Sequence, residues 1–286
     1  MAQTSTTGKL ENAQRIIVST ATYTEEHNAP AMNLIEKFTL PKGAKQVTVP
    51  KVGQASMSDL TDGQDIIDEE EIGMTTVDLT ASEVGAKVIV TDKLLRQSAT
   101  NIWTIIGRQL GDGMARKKDA DVLALYSGFG TDIGAAGRSM SLANVAATVA
   151  YAKGNKFGSQ VYIVQHPFAV FDIANTAVTA SATYPVPHGW SEDLLGNFFS
   201  GLRPINGVPI FEDGNITIDS SDDAVGVCAD KSALAVITSV SMRTEKERDA
   251  SLRAYEVVMT ADYGVFELDD SKGVALTLDA GTPATS

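Results

Sequence analysis

The residue types that most often do chemistry are sparse in this chain. It contains three histidines, His27, His166 and His188, and one cysteine, Cys228. No two histidines have the His-x-x-x-His spacing that places two metal ligands on one helix face, so the sequence does not support a metal site. Cys228 follows small apolar residues, where a thiol is normally inert packing, and His166 precedes a proline, as a helix cap or surface residue would. These residues predict no catalytic site and no cofactor.

Carboxylate side chains, which can bind metal ions or act as acids and bases, are concentrated in one segment. Between Val52 and Ala86 the chain has nine acidic residues and no lysine or arginine. The series Asp59, Asp62 and Asp65 lacks the alternate-residue spacing of an EF-hand calcium loop. The acidic segment therefore favours a role in charge pairing or solvation over metal binding.

The sign of the charge reverses directly after this segment. Residues 87–118 carry seven basic residues against two acidic ones. An acidic excursion followed by a basic helix favours pairing between the two, although an acidic run can also simply keep a loop soluble. The candidate contact residues are Asp68, Glu69, Glu70 and Glu71 in the excursion and Arg116, Lys117 and Lys118 in the helix.

A long helix is the element that must position the basic residues. The chain runs without proline from Ile102 to Tyr126, a span of about 37 Å at ~1.5 Å per residue. Side chains that recur every three or four residues form one stripe along this helix. The first half of the stripe is apolar and the second half is charged. Its members are Trp103, Ile106, Leu110, Met114, Lys117, Lys118 and Asp121. We therefore expect the helix to be stabilised by packing that includes other chains.

Shorter elements precede and follow this helix. Residues 37–86 are predicted to form a long hairpin excursion, with strands near 47–52 and 74–79. A strand at 87–90 leads into the helix. An α/β unit follows, which comprises a helix at 141–153 with Ser141 as its N-cap, a strand at 161–164, a helix at 168–176, an edge strand near 205–211 and a strand at 224–228.

The C-terminal part of the chain is predicted to be rich in β-structure. Residues 233–243 and 252–260 flank a charged tip at 244–249, and a further hairpin pairs 264–268 with 274–278. Charges of both signs alternate around the tip and predict ion pairs there. The residues concerned are Arg243, Glu245, Lys246, Glu247 and Arg248.

Composition limits the class of protein. The chain has 286 residues, 43% of them hydrophobic, which is enough for a substantial core. A formal net charge of −13 argues against a protein that coats nucleic acid, because phosphate contacts need clustered lysine and arginine. No apolar run near the N-terminus is long enough for a signal peptide or membrane span. We therefore expect synthesis in the cytoplasm and no association with a membrane.

The order of these elements resembles the major capsid proteins of tailed bacteriophages, which have the Hong Kong 97-type fold. Residues 87–95 and the helix through 116–121 are similar to that family's strand and spine helix. Residues 205–209 resemble its turn and strand in the axial domain, and 253–265 resemble its closing peripheral strands. The resemblance implies an α+β fold with an N-arm (1–36), an extended β-hairpin loop (37–86), a peripheral domain with a long spine helix and a β-sheet (87–135 and 233–286) and an α/β axial domain (136–232).

The resemblance also implies a structural function and no enzyme activity. Many copies would self-assemble through hexamers and pentamers into an icosahedral shell that encloses double-stranded DNA without sequence-specific binding. The extended loop of one subunit would lie over the peripheral domain of its neighbour, so the acidic run, the basic end of the helix and the charged tip would be intersubunit contacts. Although Lys42, Lys45 and Lys51 lie in the loop, we expect no covalent crosslink.

The expected partners are other copies of the chain, a portal protein and a separate scaffold protein, with a decoration protein as a further candidate. The expected location is the virion. Two alternatives remain open. An encapsulin-type nanocompartment shell has the same fold. A hydrolase that uses Cys228 or a histidine belongs to a different class.

Overall fold

Two four-stranded sheets and a separate two-stranded ribbon make up the β-structure of the residues that the structure describes. The computed structural model describes residues 30–52, 59, 73–97, 101–178 and 207–283. The strands are β1 (Glu36–Thr39), β2 (Gln46–Val52), β3 (Met74–Thr80), β4 (Ser82–Thr91), β5 (Val161–Gln165), β6 (Ile210–Glu212), β7 (Asp223–Asp230), β8 (Leu234–Asp249), β9 (Ala254–Glu267) and β10 (Gly273–Asp279). The α-helices are α1 (Asp92–Gln97), α2 (Ile102–Ala124), α3 (Leu142–Gly154) and α4 (Pro167–Val178).

The first sheet has the strand order β1-β8-β9-β4 and supports the long helix α2, here called the spine helix. Strands β8 and β9 form a long antiparallel hairpin, and β1 adds to β8 in parallel. On the spine helix, Ile106, Leu110 and Met114 are buried in the same core as Val257 and Met259 of β9. The sequence-predicted helix is confirmed, because its apolar stripe packs against this sheet.

The second sheet has the strand order β10-β7-β5-β6. Helices α3 and α4 come directly before and after its strand β5 in the chain. The predicted N-cap of α3 is present, since the Ser141 hydroxyl oxygen accepts a hydrogen bond of 3.2 Å from the Asn144 N–H. Pro167 is the first residue of α4, where its missing N–H costs nothing. Strand β6 lies at the sheet edge, as its proline-limited sequence predicts.

Two sequence-based predictions about the C-terminal strands are wrong. Residues 264–268 do not form a hairpin with 274–278, because β9 pairs with β8 and β4, whereas β10 pairs with β7 in the second sheet. The turn between β8 and β9 lies at 250–253, not at 244–249. Strand β10 thus joins the sheet of the predicted axial domain, although the predicted boundary assigned it to the peripheral domain. A polar run on an exposed strand has the same composition as a turn, and this similarity explains the misplaced tip.

The ribbon of β2 and β3 projects from these sheets. It pairs seven residues on each strand, from Gln46 opposite Thr80 to Val52 opposite Met74. Thr80, the last residue of β3, lies close to Gly264 of β9. A side chain at position 264 would bring its Cβ atom to 2.1 Å from the Thr80 carbonyl oxygen. A glycine is therefore required at 264 for the ribbon to leave the first sheet at this point.

Candidate intersubunit surfaces

The basic end of the spine helix has one buried lysine and two exposed cations. Lys118 is only 7% exposed, and its ammonium lies 5.4 Å from the centroid of the Tyr263 ring. The Tyr263 hydroxyl donates a 2.7 Å hydrogen bond to Asp121 on the same helix. Because Lys118 packs against its own sheet, it offers little surface to a second subunit, in contrast to the expectation from the sequence.

Arg116 and Lys117 occupy the exposed side of the helix. Lys117 forms a 2.5 Å ion pair with Asp121 one turn later, and the lysine side chain remains half exposed. An exposed pair of this spacing contributes only ~0.3–0.5 kcal/mol, so a different carboxylate can replace Asp121 at small cost. The Arg116 Nε donates to the Asp112 carbonyl oxygen at 3.4 Å, which leaves most of its guanidinium in solvent. These two side chains form a positive surface on the helix.

Two of the five candidate residues on β8 act within their own chain. Arg248 donates to both carboxylate oxygens of Asp92, at 3.0 and 2.9 Å. These bonds lower the pKa of Asp92 and raise that of Arg248. The Lys246 ammonium lies 3.6 Å from the centroid of the Trp103 ring and 4.3 Å from that of Tyr255, which places the cation over two aromatic faces. Both cations therefore bind β8 to the helical layer beneath it.

The other three candidate residues on β8 remain at the surface. Arg243 and Glu245 form an ion pair with side chains that are 66% and 62% exposed, and Glu247 is exposed on the same strand. The acidic residues 68–71 lie outside the described part of the chain, so their predicted contact stays a prediction.

The ribbon exposes nearly all of its side chains. On β2 and β3 only Leu79 is buried, whereas the opposed residues Val52 and Met74 are 58% and 64% exposed. Near the same end, Lys51 makes a 2.5 Å ion pair with Asp269 of its own chain. A two-stranded ribbon is only marginally stable in water unless something packs on it. The face with Leu79 also carries the half-buried Val47, Val49 and Val77, whereas every residue on the opposite face is exposed. That opposite face is the surface left for a partner.

Cys228 and His166, the reactive side chains that the structure describes, both lie in the packed interior. Cys228 is fully buried in β7, and burial raises the pKa of its thiol to about 12. His166 is buried, and its Nδ1 accepts a hydrogen bond from the Phe168 N–H. Within the described ranges, no three His, Cys, Asp or Glu side chains are placed to hold a metal ion. None of the helices in this part of the chain is long and apolar enough to cross a membrane. The other two histidines lie outside the described residues.

The structure also reveals a buried carboxyl group that the sequence reasoning missed. Asp119 of the spine helix is completely buried. Its carboxylate accepts a 3.3 Å hydrogen bond from the Ala31 N–H and a 2.8 Å hydrogen bond from the Asn215 side-chain amide. Burial and the neighbouring carboxyl of Asp213 raise the pKa of Asp119 to about 7. The signal was present in the sequence, since Asp119 lies four residues after the buried Ala115 and three before the buried Val122.

A family model described as phage capsid protein matches residues 74–277, which is more than two thirds of the chain. The chain belongs to the phage capsid protein family. No curated protein sequence matches it. The match includes the spine helix, the returning strand of the ribbon and both sheets, except for β1 and the last two residues of β10.

Solved structures of phage capsids have the same fold as this capsid protein. It is similar to a structure of Mycobacterium phage Che8, with a TM-score of 0.69, 17% identity and coverage of 87% of this chain and 91% of the other. The head structure of Helicobacter pylori bacteriophage KHP40 gives a TM-score of 0.70 at 11% identity, with 86% and 88% covered. The capsid of the native GTA particle gives 0.68 at 12% identity, with 87% and 90% covered. At these identities the likeness establishes the fold.

The family and the fold together confirm the main expectations from the sequence. The protein has the α+β Hong Kong 97-type fold and is a major capsid protein, a structural subunit of the icosahedral phage shell and hence of the virion. Membership of this family favours a phage shell over an encapsulin-type compartment. The buried thiol of Cys228 further disfavours a hydrolase that uses it.

Proposed function

We propose that this capsid protein forms hexamers and pentamers in which the ribbon of one subunit lies over the spine helix and first sheet of its neighbour. The observation that carries the proposal is the ribbon itself, one face of which is exposed over its whole length, from Gln46 opposite Thr80 to Val52 opposite Met74. Docking on a neighbouring subunit covers its apolar end at Val52 and Met74. Each copy gives a ribbon to one neighbour and receives one from another, a head-to-tail arrangement that closes into a ring.

Charge complementarity supports this arrangement. The acidic run 68–71 lies in the segment that joins β2 to β3, and Arg116 and Lys117 form the positive surface on the spine helix. Lys118 is left out of this contact because it is buried in its own subunit. The exposed group on β8, Arg243, Glu245 and Glu247, offers a further polar contact. Individual exposed ion pairs contribute about 0–1 kcal/mol, so repetition over the whole shell makes the effect large.

We also propose the division into domains that the family resemblance implies, with one change. Residues 1–36 form the N-arm, 37–86 the extended loop and 136–232 the axial domain, to which β10 is added because it pairs with β7. The peripheral domain comprises residues 87–135 and the remainder of 233–286, which include the spine helix and strands β8 and β9 of the first sheet. In this arrangement the chain leaves the axial domain at β7 and returns to it at β10.

The contents and partners of the shell follow from the same proposal. The shell encloses double-stranded DNA without reading its sequence, and a net charge of −13 suits a container that does not adhere to packed DNA. A portal protein, a separate scaffold protein and a decoration protein are the proposed additional partners. Synthesis takes place in the host cytoplasm before assembly.

Charge reversal on both sides of the contact tests the proposal. We expect Arg116→Glu with Lys117→Glu to abolish closed shells in electron microscopy while the far-UV circular dichroism of the subunit stays unchanged. Reversal of residues 68–71 to lysine should have the same effect, and the two sets combined should restore shells. Arg138→Glu with Lys231→Glu is the matched control, because it reverses two exposed cations away from the spine helix. Normal shells from the first variant would refute the contact.

A further inference from the structure

A buried pair of carboxyl groups joins the spine helix to the loop that follows β6. Asp119 lies on the helix, and Asp213 lies directly after β6. Both are buried, with exposures of 0% and 3%. Asp119 also accepts hydrogen bonds from Ala31, in the segment before β1, and from Asn215. Three parts of the chain that are distant in sequence thus meet at this one carboxyl.

Asp213 has one satisfied and one unsatisfied oxygen. Its Oδ1 accepts a 2.9 Å hydrogen bond from the Asn215 N–H, and its own N–H donates to the Gln165 carbonyl oxygen at 3.1 Å. Its Oδ2 is buried and receives no donor from the described residues. The adjacent Asp119 carboxyl can supply that donor only when it carries a proton. Two buried carboxyls in contact cannot both be ionised at low cost.

No lysine, arginine or histidine is among the groups that shift the pKa of Asp119. The titratable groups that face the pair are His166, before α4, and Tyr126, after the spine helix. The Nδ1 of His166 accepts the Phe168 N–H, and burial lowers the pKa of this histidine whereas Asp213 raises it. Tyr126 is fully buried and stays protonated, since burial raises its pKa well above the usual range. The segment 31–33 contributes only the Ala31 N–H.

We propose that a proton shared by Asp119 and Asp213 is a pH-dependent latch that holds the β6–β7 loop against the spine helix. A cavity of about 210 Å³ lies next to the pair, between the helix and the loop, lined by Leu123, Ala124, Asn215, Ile216 and Thr217. Ile216 of the loop is buried in the core beside this cavity, so apolar and polar contacts together hold the loop. Loss of the proton replaces the bond between Asp119 and Asp213 with repulsion between two buried carboxylates, which favours a loop that has moved away from the helix. Opening of the loop also breaks the Asn215 bond to Asp119 and leaves the Ala31 bond of the N-terminal segment in place.

Linkage sets the pH range of the latch. The pKa of Asp119 is about 7 in the latched state, as burial and Asp213 raise it, and ~3.9 when the group is exposed. The latched state therefore holds a proton that the open state has lost throughout the interval between these two values. The opening equilibrium should increase by up to about tenfold per pH unit across this interval and level off above it.

Hydrogen–deuterium exchange of the full-length chain between pH 5 and 8.5 tests the latch. Exchange rates are corrected for their intrinsic pH dependence, and light scattering verifies the same assembly state at each pH. We expect the rate in segment 213–219 to rise steeply up to pH ~7 and then level off, as the linkage requires. Strand β5 serves as the internal reference. Asp119→Asn removes the group that titrates and should abolish the rise. Asp213→Asn leaves Asp119 buried, which is the larger cause of its raised pKa, and removes the neighbouring carboxyl, so the levelling-off should move to lower pH.

Asp222→Asn is the control, because Asp222 is exposed in the same loop and has a φ of 63°, which asparagine accepts well. This variant should keep the wild-type pH dependence. A wild-type rate in segment 213–219 that does not change between pH 5 and 7 would overturn the latch. So would a pH dependence that persists in Asp119→Asn, one that is not shifted in Asp213→Asn, or one that is lost in the control.

Discussion

Two adjacent isoleucines on the spine helix provide a sharp test of how this helix packs. Ile106 is 5% exposed and belongs to the core between the helix and the first sheet, whereas Ile105 is 45% exposed. The same substitution, isoleucine to alanine, at these two positions changes the same atoms in the same helix. Any difference in the free energy of unfolding therefore reports burial and not chemistry.

The expected difference follows from the structure. Ile106→Ala removes three buried carbons, worth about 2.4 kcal/mol at ~0.8 kcal/mol each. The cavity that remains raises the cost, which for such substitutions is typically ~2–5 kcal/mol. Alanine returns less than ~0.7 kcal/mol through its better helix propensity. We therefore expect a loss of about 3 kcal/mol for Ile106→Ala. For the half-exposed Ile105 the transfer cost is roughly halved and the propensity gain is the same, so its loss should stay below ~1 kcal/mol.

Urea unfolding of the unassembled subunit, followed by circular dichroism, measures both variants against the wild type. Equal losses at the two positions, or a greater loss for Ile105→Ala, would refute the placement of the helix on the sheet. Electron microscopy of the same variants adds a second readout. A shell defect in Ile105→Ala without a loss of subunit stability would indicate that this exposed face contacts another subunit.

Two further predictions concern single side chains. At pH 8 the folded chain should not react with a chromogenic thiol reagent, because burial raises the pKa of the Cys228 thiol to about 12, and unfolding in urea should expose one reactive thiol; fast reaction of the folded chain would contradict this. Arg248→Met should raise the pKa of Asp92, which the Arg248 hydrogen bonds lower, as measured by NMR titration with Arg243→Met as control. In the wild type, this ion pair stabilises the folded chain above the unfolded Asp92 pKa of ~3.9, and the stabilisation is lost as the pH falls through the lower pKa of the folded state. The variant should lack this pH-dependent loss of stability. An unchanged Asp92 pKa in the variant would show that the pairing is not responsible.

Local sequence determined most of the individual elements. The spacing of apolar residues from Trp103 to Met114 predicted the spine helix, Ser141 predicted the start of α3, and Pro167 predicted the start of α4. These signals are local because a helix stripe, a cap or a proline acts within a few residues of itself. The order of such elements was also sufficient to indicate the fold, which the family match and the solved capsid structures confirm.

The candidate contact surfaces were predicted only in part. Charge counting identified the basic end of the spine helix, and the structure leaves Arg116 and Lys117 exposed there. It did not reveal that Lys118 packs on Tyr263 or that Lys246 packs on Trp103, since those ring partners are 145 and 143 positions away in the chain. A cation on a helix or strand looks the same in sequence whether its partner is solvent, a ring of its own chain or another subunit.

The sequence by itself determined the elements, the charge asymmetry and the type of fold, because each depends on neighbouring residues or on overall composition. Only the tertiary structure decided that β10 pairs with β7, where Gly273 lies opposite Ala229, and that Asp119 meets Asp213. Strand pairing and burial of a carboxyl depend on backbone and side-chain groups that are brought together from distant positions. Their free energies arise from desolvation and hydrogen bonding at the point of contact, which no local pattern of residues can specify.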